Sequence, residues 1–203
     1  MATVKRNNIT MSKGNLKFAP EILIWSIPAI KTCPNCADCA ASCYARKAEK
    51  VYPQVLPCRE RNYQATQDLE QFKRDMVALI KRTQKTSKKH TPSAVRIHES
   101  GDFYSKEYAE AWAAIARECP ELTFYGHTKA PENLPEDIPE NMNIVESILP
   151  NGEVNFGSKE KVLRMSKEYG AAICPYGKAK KAFKCGTDCK ACMRRSRVVF
   201  IEH

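Results

Sequence analysis

The sequence predicts an α/β fold, an open or partial parallel β/α barrel with a small cysteine-rich segment near its C-terminus. Three observations lead there. Short apolar runs alternate with amphipathic stretches of helical period, the pattern of repeated strand–helix–strand units. The chain has 203 residues, short of the ~250 that a complete eight-fold barrel takes. Eight of its ten cysteines fall into two tight groups, the second close to the chain end.

Taken in order, residues 22–27 (ILIWSI) read as the first strand, being short and apolar. Residues 59–83 read as a helix, with Tyr63, Leu69, Phe72, Met76, Leu79 and Ile80 mostly three or four apart. Residues 94–98 (AVRIH) form the next strand. A helix over 105–118 follows, with Ser105 as its N-cap and Tyr108, Trp112 and Ile115 on one stripe. Strands at 122–126 and 143–148 flank an acidic, Pro-rich loop at 131–140. A short helix at 158–169 and strands at 171–174 and 197–201 complete the pattern. Internal repeats and low-complexity tracts are absent, so the chain reads as a single domain, 1–203, with a metal-binding segment at about 174–192.

With 43% apolar residues the chain can bury a core without disulfides. No stretch approaches the ~20 apolar residues that span a membrane, so no membrane partner is expected. Residues 1–14 are polar with no apolar h-region, which predicts no secretory signal and a cytoplasmic protein. In a reducing compartment clustered cysteines are metal ligands more often than disulfides, because thiolates are soft donors suited to iron–sulfur clusters and zinc.

Cys33, Cys36, Cys39 and Cys43 have the spacing C-x2-C-x2-C-x3-C, which matches the bacterial ferredoxin run with Tyr44 in place of its proline. Zinc sites usually draw on two separated pairs. Four thiolates within eleven residues suit a [4Fe–4S] cluster, and Ala37, Ala40 and Ala41 leave room for one. If three of the four share a cluster, one iron stays open, as a radical S-adenosylmethionine enzyme requires.

The second group is Cys174, Cys185, Cys189 and Cys192. Its last three have the C-x3-C-x2-C spacing of the radical-enzyme signature. However, Ala191 stands where an aromatic is usual, and only residues 193–203 follow. With Cys174 closing the site, a second cluster or a structural zinc fits. Both groups converging on one centre is the third arrangement.

In parallel α/β folds ligands bind at the C-terminal ends of strands. His98, Asp102, His127, Lys129 and Glu146 all fall there, and the first cysteine loop follows a strand as well. Ser100-Gly101-Asp102 is similar to the Gly-Gly-Glu segment that holds the amino group of S-adenosylmethionine. The structural alternative has Asp102 and Ser105 capping the next helix and the histidines bonding the backbone. Tyr108 and Trp112 read as core. The net charge of +10 permits a nucleic-acid partner through phosphate contacts. The lysine-rich run 178–184 reads as a solvated face more readily than as a phosphate grip.

Several strings resemble the gene product 88-like proteins of bacteriophages. They are Lys31-Thr32-Cys33-Pro34, Cys43-Tyr44-Ala45-Arg46-Lys47, and Val95 through Tyr104 with its following Glu107, Tyr108 and Trp112. The segment Tyr125-Gly126-His127-Thr128-Lys129 and the terminal cysteines extend the likeness. The resemblance implies a phage or prophage protein acting in the host cytoplasm, with a radical-enzyme-like partial barrel. It marks Cys33, Cys39 and Cys43 as the recurring part of the first group, with Cys36 additional and Met193 in place of an aromatic. It implies no particular reaction.

Three functions follow as expectations. The first is an iron–sulfur protein with a [4Fe–4S] cluster on the N-terminal group, in a redox, regulatory or enzymatic role toward a small molecule or redox partner. The second is a radical S-adenosylmethionine-type enzyme, with Ser100, Gly101 and Asp102 on the cofactor and His98, Asp102, His127 and Lys129 as catalytic candidates. The third is a zinc-stapled nucleic-acid-binding protein.

Overall fold

The computed structural model of the chain describes residues 2–36, 40–41, 43–175, 183–195 and 197–201. It opens with a hairpin that the sequence pattern did not predict, β1 (Ala2–Arg6) and β2 (Ile9–Lys13). Asn7 makes the turn in the left-handed region at φ 48°, which Asn tolerates better than most residues. β1 is mostly exposed and too polar to read as a strand, whereas Ile9 and Met11 of β2 are buried.

The hairpin leads into β3 (Ile22–Ile24), followed by β4 (Ala94–Ile97), β5 (Thr123–Thr128) and β6 (Met142–Glu146). These six strands form one sheet in chain order. The first three pair antiparallel, and β3 to β6 run parallel. The sheet is open, with β1 and β6 at its edges. β3 is shorter than expected, yet Trp25 and Ile27 still donate backbone hydrogen bonds to Arg96 and Ser100.

Between β3 and β4 lie α1 (Tyr44–Val51), α2 (Val55–Ala65) and α3 (Leu69–Thr86). The continuous helix expected over 59–83 is therefore two helices. The Thr66 hydroxyl bonds back to the Tyr63 carbonyl, and Asp68 restarts the chain as an N-cap accepting from the Gln71 amide at 3.0 Å. Such side-chain bonds offer the backbone an alternative to helix continuation. α4 (Lys106–Glu118) begins at its predicted cap, Ser105.

Beyond β6 a smaller parallel sheet has the order β7–β9–β8, from β7 (Phe156–Gly157), β8 (Ala172–Ile173) and β9 (Val198–Ile201). α5 (Lys159–Tyr169) packs on it, and α6 (Ala191–Arg194) lies near β6 and β5.

Strand alternation gives the main sheet two different faces. Leu23, Val95, Ile97 and Phe124 turn toward α3 and α4, joining Trp25, Phe72, Tyr108 and Trp112 in an aromatic core. Burying a side chain such as Phe72 stabilises the fold by about 1.5–3 kcal/mol. Ile22, Ile24, Ala94 and Tyr125 turn the other way and pack with Phe18, Cys185, Cys192 and Met193. Among the described residues no helix is long and apolar enough to cross a membrane.

Candidate functional site

The parallel register places the C-terminal ends of β3, β4, β5 and β6 along one sheet edge. The first cysteine loop is tied to that edge. Asp102 N donates to Thr32 O at 3.0 Å, and Asn35 Nδ2 donates to Lys129 O at 2.7 Å. Cys33, Cys36 and Cys43 are partly buried in this loop. Cys39 lies outside the described residues, as do Ala37 and residues 178–182 of the lysine-rich run.

The second cysteine group is held by backbone bonds to two different parts of the chain. Cys174 N donates to Val199 O at 2.8 Å, anchoring it at the end of β8. Cys185 exchanges bonds with the segment before β3, donating to Lys17 O and accepting from Ala19 N, each at 2.9 Å. Gly186 follows at φ 97°, where an added Cβ would stand 2.5 Å from Ile22 Cδ1. Only glycine lets this turn lie so close to the sheet. From β6, Asn143 Nδ2 donates to the carbonyls of Cys192 and Arg195 at 2.8 and 3.1 Å.

These anchors bring Cys174, Cys185, Cys189 and Cys192 to the wall of one cavity of ≈ 270 Å³. Tyr44, which follows Cys43, and Lys129, which holds Asn35, line it too. The second cysteine group thus forms part of the cavity wall, while the first loop is tied to the cavity through Tyr44 and Lys129. The Ala191 amide points at Cys189 Sγ at 3.5 Å. Burial pushes the Cys192 thiol up to about 11, with Arg96 acting against it and the other three thiols adding to it. Cys185 is also raised by burial, while Lys17 acts in the opposite sense. Among the described residues no three His, Cys, Asp or Glu side chains gather closely enough to hold one metal ion, and no disulfide forms.

The polar residues expected at the strand ends separate into two sets. His127 and Lys129 line the cavity. The His127 ring lies 5.2 Å from that of Phe200 and tilted to it by 55°, and burial with nearby Arg96 and Lys17 keeps its pKa well below the usual imidazole value. His98 instead points into the core, its Nε2 2.9 Å from the Tyr108 hydroxyl. Asp102 is buried, accepting from the Thr128 hydroxyl at 2.7 Å, the Lys129 amide at 2.9 Å and its neighbour Phe103 N at 2.7 Å. Burial raises its pKa against the pull of those bonds. Ser100 is buried with its Oγ unpartnered, and Gly101 packs on Ile27 and Thr32. Glu146 is exposed at the end of β6.

The sequence matches the gene product 88 family model over residues 2–198. The chain belongs to the gene product 88 family. Two similar family members are the Gene 88 proteins of Mycobacterium phages D29 and L5, 34% and 32% identical over 104 residues. Each match covers 48% of this chain and 42% or 43% of the relative, so it spans less than half of either protein. Both names are gene designations that state no activity. No solved structure matches the chain.

Two further cavity residues of this gene product 88 family member escaped sequence reading, Arg96 and Tyr125. They are paired across β4 and β5 in the register, and the guanidinium lies 5.4 Å from the Tyr125 ring centroid. The signal was present in AVRI, where an arginine interrupts an otherwise apolar buried strand.

Proposed function

We propose that the chain is an iron–sulfur protein, with a cluster held by Cys174, Cys185, Cys189 and Cys192. The observation that carries this reading is that four thiols, from the end of β8, from residues 185–189 bonded to the segment before β3, and from α6, all line one cavity. The donor set fits: four soft sulfur ligands suit a cluster, and a backbone amide is already directed at one of the sulfurs. The space also fits a polynuclear group, because ≈ 270 Å³ is far more than one ion closed in by four ligands occupies. When bound, the cluster would supply one-electron chemistry beside His127 and Lys129.

The N-terminal group, Cys33, Cys36, Cys39 and Cys43, is proposed as a second thiolate site on the rim of that cavity. Its ferredoxin-like spacing supports a [4Fe–4S] cluster there. The sequential parallel order of β3 to β6, with every following loop at one edge, supports reading the main sheet as part of a barrel. An S-adenosylmethionine-dependent role draws less support, because Asp102 is fully engaged by Thr128, Lys129 and Phe103. A zinc-stapled nucleic-acid-binding protein is the remaining reading, supported by the net charge alone.

Anaerobic purification with absorption spectroscopy and iron, zinc and sulfide assays tests the proposal. A brown protein with about four irons and matching sulfide indicates one [4Fe–4S] cluster, and about eight indicates both groups. A colourless protein that holds only zinc, and stays so after iron–sulfide reconstitution, would overturn it.

A further inference from the structure

The cavity that the cysteines line is strongly cationic. Arg96, Lys17, Lys129 and Lys190 contribute to its wall, and no aspartate or glutamate does among the described residues. Arg96 decides the matter. It is 9% exposed, its guanidinium forms no ion pair among the described residues, and its Nε has no hydrogen-bond acceptor. The hydroxyl of Tyr125, 3% exposed and its direct neighbour across the strands, also lacks a partner.

A buried guanidinium is costly unless something negative meets it, and buried charges in folded proteins are paired. The ring of Tyr125 offers it a cation–π contact, which offsets part of that cost without neutralising the charge. Two unpartnered buried donors side by side, both lining the same cavity, define a site for an acceptor with more than one oxygen. Guanidinium is the side chain best shaped for that task, because its planar fork matches carboxylate and phosphate oxygens. Phe156 and Phe200, also on the wall, give an apolar surface for the rest of such a ligand. The near-complete burial of Arg96 excludes the backbone of a nucleic-acid duplex, which cannot enter so small a space.

We propose that the cavity binds a small molecule through a carboxylate or phosphate group held by Arg96 and the Tyr125 hydroxyl. The proposal stands on the unpartnered donors of Arg96 and Tyr125, and it requires room in the cavity beside any cluster that the cysteines hold.

Thermal melting of the full chain, with its metal content recorded, provides the test. Inorganic phosphate and acetate are titrated separately against sodium chloride at matched ionic strength. A saturable rise in melting temperature with phosphate, with acetate or with both supports the site, and the pattern tells which oxyanion it prefers. Arg96→Met should abolish the response, and Tyr125→Phe should weaken the half-saturation by about tenfold, as loss of a hydrogen bond to a charged group does. No saturable response in the wild type overturns the proposal, as does an unchanged response in Arg96→Met. If Arg96→Met fails to melt cooperatively, an unchanged half-saturation in Tyr125→Phe overturns it. An oxyanion response in protein free of iron and zinc would leave this site standing while the cluster reading fails. A clustered protein without the response would do the reverse.

Discussion

The Tyr108 hydroxyl lies 2.9 Å from His98 Nε2 and 2.9 Å from Trp25 Nε1. Since the indole can only donate, the phenol accepts from Trp25, and the same hydroxyl shares its second bond with the buried imidazole of His98. Burial, with Arg96 adding to it, lowers the His98 pKa to about 3. The histidine at the end of β4 is therefore part of a core relay joining β3, β4 and α4.

Acid should uncouple this relay. The unfolded chain binds the His98 proton near pH 6.5 and the native chain near 3, so stability present above pH 6.5 declines as pH falls between those values. From pH 7 to pH 5 the group should account for a loss of about 2 kcal/mol. Urea unfolding at both pH values checks this: His98→Asn, which suits the residue's φ of 59°, should lose less over the interval than wild type. Equal losses would place the acid sensitivity elsewhere. Tyr108→Phe leaves two buried groups unpaired and should cost about 2–5 kcal/mol at pH 7.

Gly101 allows the loop after β4 to cross the first cysteine loop. Its φ is 86°, and a Cβ there would stand 2.3 Å from Ile27 Cγ1 and 2.7 Å from Thr32 Oγ1. Left-handed backbone costs an L-residue about 1–2 kcal/mol, and overpacking adds about 1–3. Gly101→Ala should thus destabilise by about 2–5 kcal/mol in urea unfolding, while Gly152→Ala, which meets no atom within 4 Å, should pay only for its own positive φ. Similar losses in both would show that the close approach to Ile27 and Thr32 is unimportant.

The elements with clean alternation or a clear cap were legible in the sequence. β4 and α4 are where the pattern put them because Val95 and Ile97 alternate with Arg96, and Ser105 precedes a regular apolar stripe. The hairpin was not legible, since β1 is polar and its register depends on partners far along the chain. The break between α2 and α3 was written in Asp68-x-x-Gln71, but apolar periodicity continues across it and masked the cap. The spacing of Cys185, Cys189 and Cys192 suggested a common site with Cys174, and all four line one cavity. That His98 turns inward while His127 lines the cavity could not be read, because it depends on the left-handed backbone at His98.

The hairpin is docked through Asp75 on α3. Asp75 Oδ1 accepts from Arg6 Nε at 3.0 Å, and Asn7 Nδ2 donates to both oxygens at 2.8 and 2.9 Å. Burial works against the charged carboxylate, but the bonds from Asn7, Gln71 and Arg6 prevail and hold its pKa below the ordinary value. The stabilisation is therefore present above pH ~4 and lost as pH falls below it. Asp75→Asn should cost about 1–3 kcal/mol at pH 7, with the deficit shrinking at pH 3. A deficit that stays constant with pH would show that packing, not charge, secures the hairpin.

Single-cysteine variants should divide the ten thiols by role. Cys192→Ser and Cys185→Ser remove two of the proposed ligands from the cavity wall and should lower bound iron and sulfide relative to wild type, bleaching part of the visible absorption. Cys119 is buried at the end of α4 among core residues, where burial pushes its thiol up to about 11. A thiol so placed serves packing, so Cys119→Ala should leave iron content unchanged while lowering the melting temperature. Cys33→Ser and Cys43→Ser separate one centre from two. If the N-terminal group holds its own cluster, each should remove roughly the iron of one cluster and spare the rest. If both groups serve one centre, a variant in either should remove the same iron, and combining Cys43→Ser with Cys192→Ser should add nothing further. Iron content unaffected by any variant at Cys174, Cys185, Cys189 or Cys192 would remove the cavity as the cluster's seat.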